Sequence, residues 1–271
     1  MKRVLWATFA IALVGLAAAC SALPGFERLP FRPERPTIVL LHGAFFDSSD
    51  WEPVARALEA KGRKVVVIDL PGRSRNPFPA TRASLDLYRD VVIAAVSREP
   101  RPVVLVGHSF GGMTISAAAD AVPDKIASLV YVGAYLPKSG ESLVSLSQQD
   151  KTSLAGPAFR VDPARGVAWI DTDSRAAAFC SDCAPPVAAG VTARMIEEPL
   201  APPGTPVTLG EGFARVPKVY VRTARDRVVS PSLQDQMIAG AGKVHVLGID
   251  SGHLPMVTRP DELAALIDTV R

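Results

Sequence analysis

The residues best placed to do chemistry in this chain of 271 residues lie in Gly107-His108-Ser109-Phe110-Gly111, which fits G-x-S-x-G. The apolar run before it, residues 103–106, reads as a buried strand, and the small-residue stretch 112–119 reads as a closely packed helix. A serine at such a junction sits on a tight turn and projects its hydroxyl from the sheet edge, where it can attack a carbonyl carbon. The pentapeptide alone arises often by chance. The strand before it and the helix after it give it weight.

A serine hydroxyl needs a base, and the base needs an orienting acid. Of the histidines His42, His108, His245 and His253, only His253 lies downstream of Ser109 in a loop, Asp250-Ser251-Gly252-His253-Leu254-Pro255. His245 falls inside the apolar run 244–249 and reads as a strand residue, while His108 is expected to pack beneath the turn. The expected acid is Asp226, in Thr223-Ala224-Arg225-Asp226-Arg227 directly after the run 218–222. This satisfies the chain order Ser, Asp, His. Asp250 is the rival acid, otherwise read as a turn former before Ser251-Gly252. An oxyanion needs two backbone amides. Residues 38–41 form an apolar strand ending in His42-Gly43-Ala44-Phe45, so the amides of Ala44 and Phe110 are assigned, with His42 organising its loop.

The elements that must position these groups alternate strand and helix, which implies an α/β fold with a mostly parallel central sheet and helices on both faces. Ser49 or Asp50 is the expected cap of a first helix with Pro53 in its opening turn and Trp51, Val54, Ala55 and Leu58 on its buried face. Strands are expected at 65–68 and 126–132, a helix at 85–97, and a last helix from Pro260. Asp69 stands in a turn, Asp69-Leu70-Pro71-Gly72-Arg73, and reads as structural. From about 135 to 216 the alternation breaks down, as expected of a lid insert. Phe45, Tyr135, Trp169 and Leu254 are the expected pocket residues, with Phe46, Phe110, Leu136 and Phe179 as further candidate walls. No carboxylate or arginine of the insert stands out as a substrate clamp, which favours an uncharged, apolar ester.

These features together resemble the α/β-hydrolase superfamily, in the branch of small esterases, plant methyl esterases and hydroxynitrile lyases. The resemblance rests on Leu40-Leu41-His42-Gly43-Ala44 with Trp51 downstream, on Gly62-Arg63-Lys64-Val65 leading to Ile68-Asp69-Leu70, and on 104–113 around Ser109. It continues through the Asp226 and Gly252-His253 loops, and Phe179-Cys180-Ser181-Asp182-Cys183 and 205–209 look like cap segments of the branch. It covers residues 36–270. The resemblance implies a serine esterase without cofactor or metal, its partner a small ester. Hydroxynitrile lyases of the branch carry a lysine after the catalytic histidine and a threonine after the first-loop histidine; here those places hold Leu254 and Gly43. That departure favours hydrolysis. Lyase-type C–C cleavage and non-catalytic ligand binding on the same fold remain the alternatives.

Lys2-Arg3 and the apolar residues 4–19 read as an exported protein's leader, and Ala17-Ala18-Ala19-Cys20 resembles a lipobox with Cys20 lipidated. Leu16 stands one place earlier than that pattern prefers, so cleavage near Ala19 or Ala22 and secretion, or a retained anchor, are the other readings. All of them place the catalytic domain outside the cytoplasm, the first in the periplasm or on the outer membrane. Residues 1–20 are then the signal, 21–35 a proline-containing linker, and 36–271 a single domain. Formal net charge is +3, two units of it from Lys2 and Arg3, so no basic surface for nucleic acid remains. Of the three cysteines, Cys180 and Cys183 are read as a short structural disulfide or two buried thiols. Two cysteines alone make no zinc site. The oligomeric state is not legible.

Overall fold

A computed structural model describes residues 35–271; the expected leader, Cys20 and the expected linker up to residue 34 lie outside the described residues. Strands β1 (Ile38–Leu41), β2 (Val65–Ile68), β3 (Val103–His108) and β4 (Ile126–Val132) are joined by helices α1 (Glu52–Ala60), α2 (Leu85–Ser97) and α3 (Gly111–Ala121). β1 is aliphatic throughout and β3 from Val103 to Val106, and both strands are buried at every position, as strands covered on both faces must be. The insert follows: α4 (Leu143–Ser147), α5 (Ala155–Ala158), β5 (Phe159–Asp162), β6 (Val167–Ile170), α6 (Arg175–Phe179), α7 (Pro185–Arg194), β7 (Glu198–Pro199), α8 (Ala201–Gly204) and α9 (Glu211–Arg215). The main chain then resumes with β8 (Lys218–Thr223), α10 (Pro231–Gly240), β9 (His245–Ile249), α11 (Pro255–Thr258) and α12 (Pro260–Asp268).

The central sheet has the order β2-β1-β3-β4-β8-β9, and every pairing in it is parallel. The step from β1 to β2 runs one way across the sheet and the step from β2 to β3 runs back. Right-handed crossovers therefore put α1 and α2 on opposite faces. α12 packs against α1, and α3 against α2. The order reverses at β1, so a crevice opens at the carboxyl ends of β1 and β3, where open α/β sheets bind ligands. The loop after β1 and the turn after β3 meet there.

One local expectation is corrected. The first helix is preceded by a tight turn, Ser48–Trp51, whose cap is Asp47 and not Ser49 or Asp50: the Asp47 carboxylate accepts from the Ser49 amide at 2.9 Å. Asp50 turns inward and pairs with Arg194 of α7 at 2.9 Å. The final helix begins at Pro260 as expected, with a separate turn, α11, before it, because Pro255 and Pro260 each begin a new helical segment.

The insert adds a small antiparallel sheet, β5-β6-β7, and is tied to the β1 loop through buried polar groups. Glu198 on β7 and Arg73 after β2 are both fully buried and pair at 2.6 Å. Glu198 also accepts from the Phe45 amide at 3.0 Å, and Arg73 Nε donates to the Phe46 carbonyl at 2.9 Å. The Ile196 amide completes the tie by donating to the Phe45 carbonyl at 3.0 Å. Burial by itself would lower the Arg73 pKa, but the Glu198 carboxylate, with Tyr88 nearby, outweighs it and holds the guanidinium above the ordinary arginine range. Glu198→Ala strands that cation, and urea unfolding should show a loss of about 3–5 kcal/mol. The double variant Arg73→Met/Glu198→Leu should recover most of it. A single variant as stable as wild type would contradict this view of the tie.

Candidate functional site

Ser109 follows β3 with φ of +50°, and Phe45, after β1, has φ of +66°; they are the two non-glycine residues with positive φ among those described. A left-handed conformation is costly for a residue with a side chain, by about 1–3 kcal/mol, and persists only where neighbours enforce it. Here they do. A Cβ at Gly107 would stand 2.8 Å from the Gly111 backbone, and one at Gly111 would stand 2.9 Å from the His42 carbonyl. The helix start is therefore drawn close beneath β1 and β3, and the serine is lifted between them. The Ser109 carbonyl accepts from the Tyr135 amide at 3.1 Å, so the turn is also held from the chain leaving β4.

His253 and Asp226 come together as expected. Both side chains are fully buried, and His253 Nδ1–H donates to Asp226 Oδ2 at 2.9 Å. The carboxylate is held in turn by the Val228 and Val229 amides at 2.8 and 3.0 Å and by Thr223 Oγ1 at 2.8 Å. Asp250 is not brought to the imidazole; its side chain is 74% exposed and pairs with Arg225. His253 Nε2 is buried and has no hydrogen-bond partner among the described residues, so no hydrogen bond joins it to Ser109 Oγ. Such bonds are often long in unliganded enzymes and tighten around substrate. The two residues are linked through His108, whose ring lies 4.6 Å from that of His253 and whose Nε2–H donates to the His253 carbonyl at 2.9 Å. His108 thus does more than fill space under the turn.

Among the described residues no acceptor takes the Ala44 or Phe110 amide, whereas the Phe45 amide is taken by Glu198. The β1 loop lies close over the serine, since a Cβ at Gly43 would stand 2.8 Å from Ser109 Cβ. His42 organises that loop: the Leu70 amide donates to its Nε2 at 3.1 Å, and its Nδ1–H donates to the Gly43 carbonyl at 2.8 Å. That pattern fixes the neutral tautomer. Asp69 is structural as expected, its carboxylate accepting from the Ser48 amide at 2.8 Å and the Ser48 hydroxyl at 2.7 Å.

A cavity of about 300 Å³ opens from Ser109 and Ala44 into the insert. Phe45, Tyr135 and Phe179 line it, as expected. Trp169 and Leu254 do not, which corrects both assignments. Alternation along β6 turns Ile170, not Trp169, toward the cavity, and Leu254 is buried in the core behind His253. Phe46, Phe110 and Leu136 are likewise core. The unforeseen walls come from short insert elements, among them Leu143, Val144, Phe159 and Pro203, whose sequence has no periodicity to read. Cys180 and Cys183 are joined in a disulfide. Among the described residues no group of three or more His, Cys, Asp or Glu side chains is arranged to hold a metal ion.

Burial, with the Arg73 cation second, pushes His42 down to about 3, and burial followed by the His253 ring holds His108 well below the usual histidine range. The unfolded chain takes up these protons below about pH 6.5. Their neutral state therefore contributes stability that is complete above pH 6.5 and is lost as the pH falls toward 3. Each histidine should add about 1.4 kcal/mol per pH unit to that decline. Urea unfolding of His42→Gln between pH 7 and 4.5 should show a shallower slope than wild type by that amount. Parallel curves would contradict it.

Residues 38–266 match the family described as "Alpha/beta hydrolase family". Methylesterase 17 of Arabidopsis thaliana is 28% identical over 267 residues, covering 89% of this chain and 94% of that protein. The pyrethroid hydrolase of Sphingobium wenxiniae is 28% identical over 245 residues, with 85% of each chain covered. The crystal structure of a pyrethroid hydrolase from Sphingobium faniae JZ-2 superposes with a TM-score of 0.77 at 25% identity, over 86% of this chain and 96% of that one. With its parallel sheet, the serine turn after β3 and a family match across nearly the whole described domain, the chain belongs to the alpha/beta hydrolase family.

Proposed function

We propose that the chain is a serine carboxylic ester hydrolase that acts on small, uncharged, apolar esters through an acyl-enzyme. The observation that carries this reading is the buried Asp226–His253 pair, flanked by His108 and Phe179, beside the cavity that Ser109 lines. Ser109 attacks the ester carbonyl as His253 Nε2 takes its proton, and Asp226 stabilises the imidazolium that forms. The Ala44 and Phe110 amides receive the oxyanion, each such donor contributing about 3 kcal/mol to the transition state. The alcohol leaves with the proton from His253. Water, activated by the same imidazole, then releases the acid and restores the serine.

The cavity lining supports the substrate class, because it holds no charged side chain and its polar groups are hydroxyls and the Gln148 amide. A carboxylate placed there would lose its hydration without a counter-charge. The names of the relatives, methylesterase and pyrethroid hydrolase, fit ester hydrolysis. Lyase chemistry is disfavoured by the same contacts that shape the site: any Cβ at Gly43 would press on Ser109, and Leu254 is buried and apolar. Export and anchoring through Cys20 belong to the same proposal and rest on the leader sequence.

Ser109→Ala should fold normally and lose at least ~10³-fold in hydrolysis of p-nitrophenyl butyrate, with no labelling by a fluorophosphonate. Asp226→Asn should lose about 10⁴-fold in kcat. Full activity in Ser109→Ala would overturn the reading. Across a panel of esters, a p-nitrophenyl ester with a terminal carboxylate on its acyl chain should show a kcat/KM at least ~10²-fold below its neutral isostere. Equal rates would remove the uncharged-substrate assignment while leaving the triad in place.

A further inference from the structure

The loop between β9 and α11 carries His253 without regular secondary structure, so something outside it must fix its path. We propose that Asp182, in the insert, is a positioning residue for the base: its carboxylate holds the His253 loop and ties it to the loop of the orienting acid. This inference rests on the reading of His253 as the base.

Asp182 sits between Cys180 and Cys183, inside the small ring their disulfide closes, and its side chain is only 6% exposed. Its Oδ2 accepts from the Gly252 amide at 2.8 Å, from Ser251 Oγ at 3.2 Å and from Thr258 Oγ1 at 3.4 Å. The two hydroxyls also bond each other at 2.9 Å. The Arg225 guanidinium lies 3.8 Å from the same oxygen, and the Arg225 amide donates to the Ser251 carbonyl at 2.9 Å. Arg225 immediately precedes Asp226. One carboxylate thus meets the residue before the base and the residue before the acid.

Two further contacts show how closely the parts are fitted. A Cβ at Gly252 would stand 2.5 Å from Asp182 Oδ1, so position 252 is kept bare by this carboxylate. Phe179, three residues before Asp182, sets its ring edge-on to the His253 imidazole at 5.4 Å. The disulfide ring fixes the chain between those two contacts. Asp182 does not line the cavity, so its removal should leave substrate binding alone.

The test is steady-state kinetics of the full chain on p-nitrophenyl butyrate, with functional sites counted by stoichiometric fluorophosphonate labelling. Asp182→Ala should lower kcat per labelled site by about 10²-fold, the size expected of a small misplacement of a reacting group, with KM unchanged. Asp182→Asn keeps an oxygen for the Gly252 amide and should restore most of the loss. Gly252→Ala, which displaces the carboxylate without removing it, should reproduce the fall in kcat and serves if Asp182→Ala does not fold. A kcat per labelled site equal to wild type in the folded variants, or a loss that appears only in KM, would overturn the proposal. Ser109→Ala in the same assay separates the two ideas: activity there sinks the hydrolase mechanism, whereas undiminished kcat in the Asp182 and Gly252 variants sinks only the positioning role.

Discussion

A serine forced into left-handed backbone between a fully buried strand and a helix that begins almost beneath it is the constraint on which this structure turns. The conformation is unfavourable locally and is maintained because β1, β3 and the start of α3 approach too closely for any other path. The burial of β1 and β3 against helices on both faces supplies the rigidity that enforces it. The second left-handed residue, Phe45, lies across the same crevice, and its amide and carbonyl are both fixed by the insert. Strain therefore collects on the two sides of one space, where a reacting carbonyl would sit.

Three buried imidazoles, His42, His108 and His253, lie in the loops and strand end that carry the site, and their partners set them apart. His42 faces a backbone amide and a carbonyl, and His108 faces a carbonyl; both are neutral struts. Of the three, only His253 hydrogen-bonds a carboxylate, and its second nitrogen is buried without a partner among the described residues. Equal burial with unequal partners sets His253 apart from the two struts, as the proposed proton transfer requires. The insert contributes in the same way as the sheet. Glu198 holds the β1 loop at the Phe45 amide, and Asp182 holds the His253 loop at the Gly252 amide, so the insert is part of the site's framework as well as a wall of its cavity.

Most of the sheet could be read from residue types, because β1 and the first four residues of β3 are aliphatic and β4 is apolar apart from Ser128, the composition that parallel strands buried on both faces need. Ser109 and His253 were legible from the strand–turn–helix setting and from chain order, and Asp226 from its place after a strand. What could not be read were pairings across the insert. Glu198 and Arg73 are separated by 125 positions, and nothing in the local sequence of either residue marks it as buried. Nothing in the sequence around Asp182 marks its reach to the His253 loop, 70 positions away. Trp169 was misassigned for a simpler reason: size suggested a pocket wall, but strand parity gave that wall to Ile170. Leu254 was misassigned by adjacency, since the residue after a catalytic histidine need not share its exposure.

The most direct measurement of the central claim is the mass of the protein within milliseconds of mixing with a p-nitrophenyl ester, followed by peptide mapping. An acyl adduct that forms with the burst of p-nitrophenol, maps to Ser109 and disappears as hydrolysis proceeds is the result predicted. Turnover with no adduct at Ser109, or an adduct on another residue that is released at the catalytic rate, would contradict it.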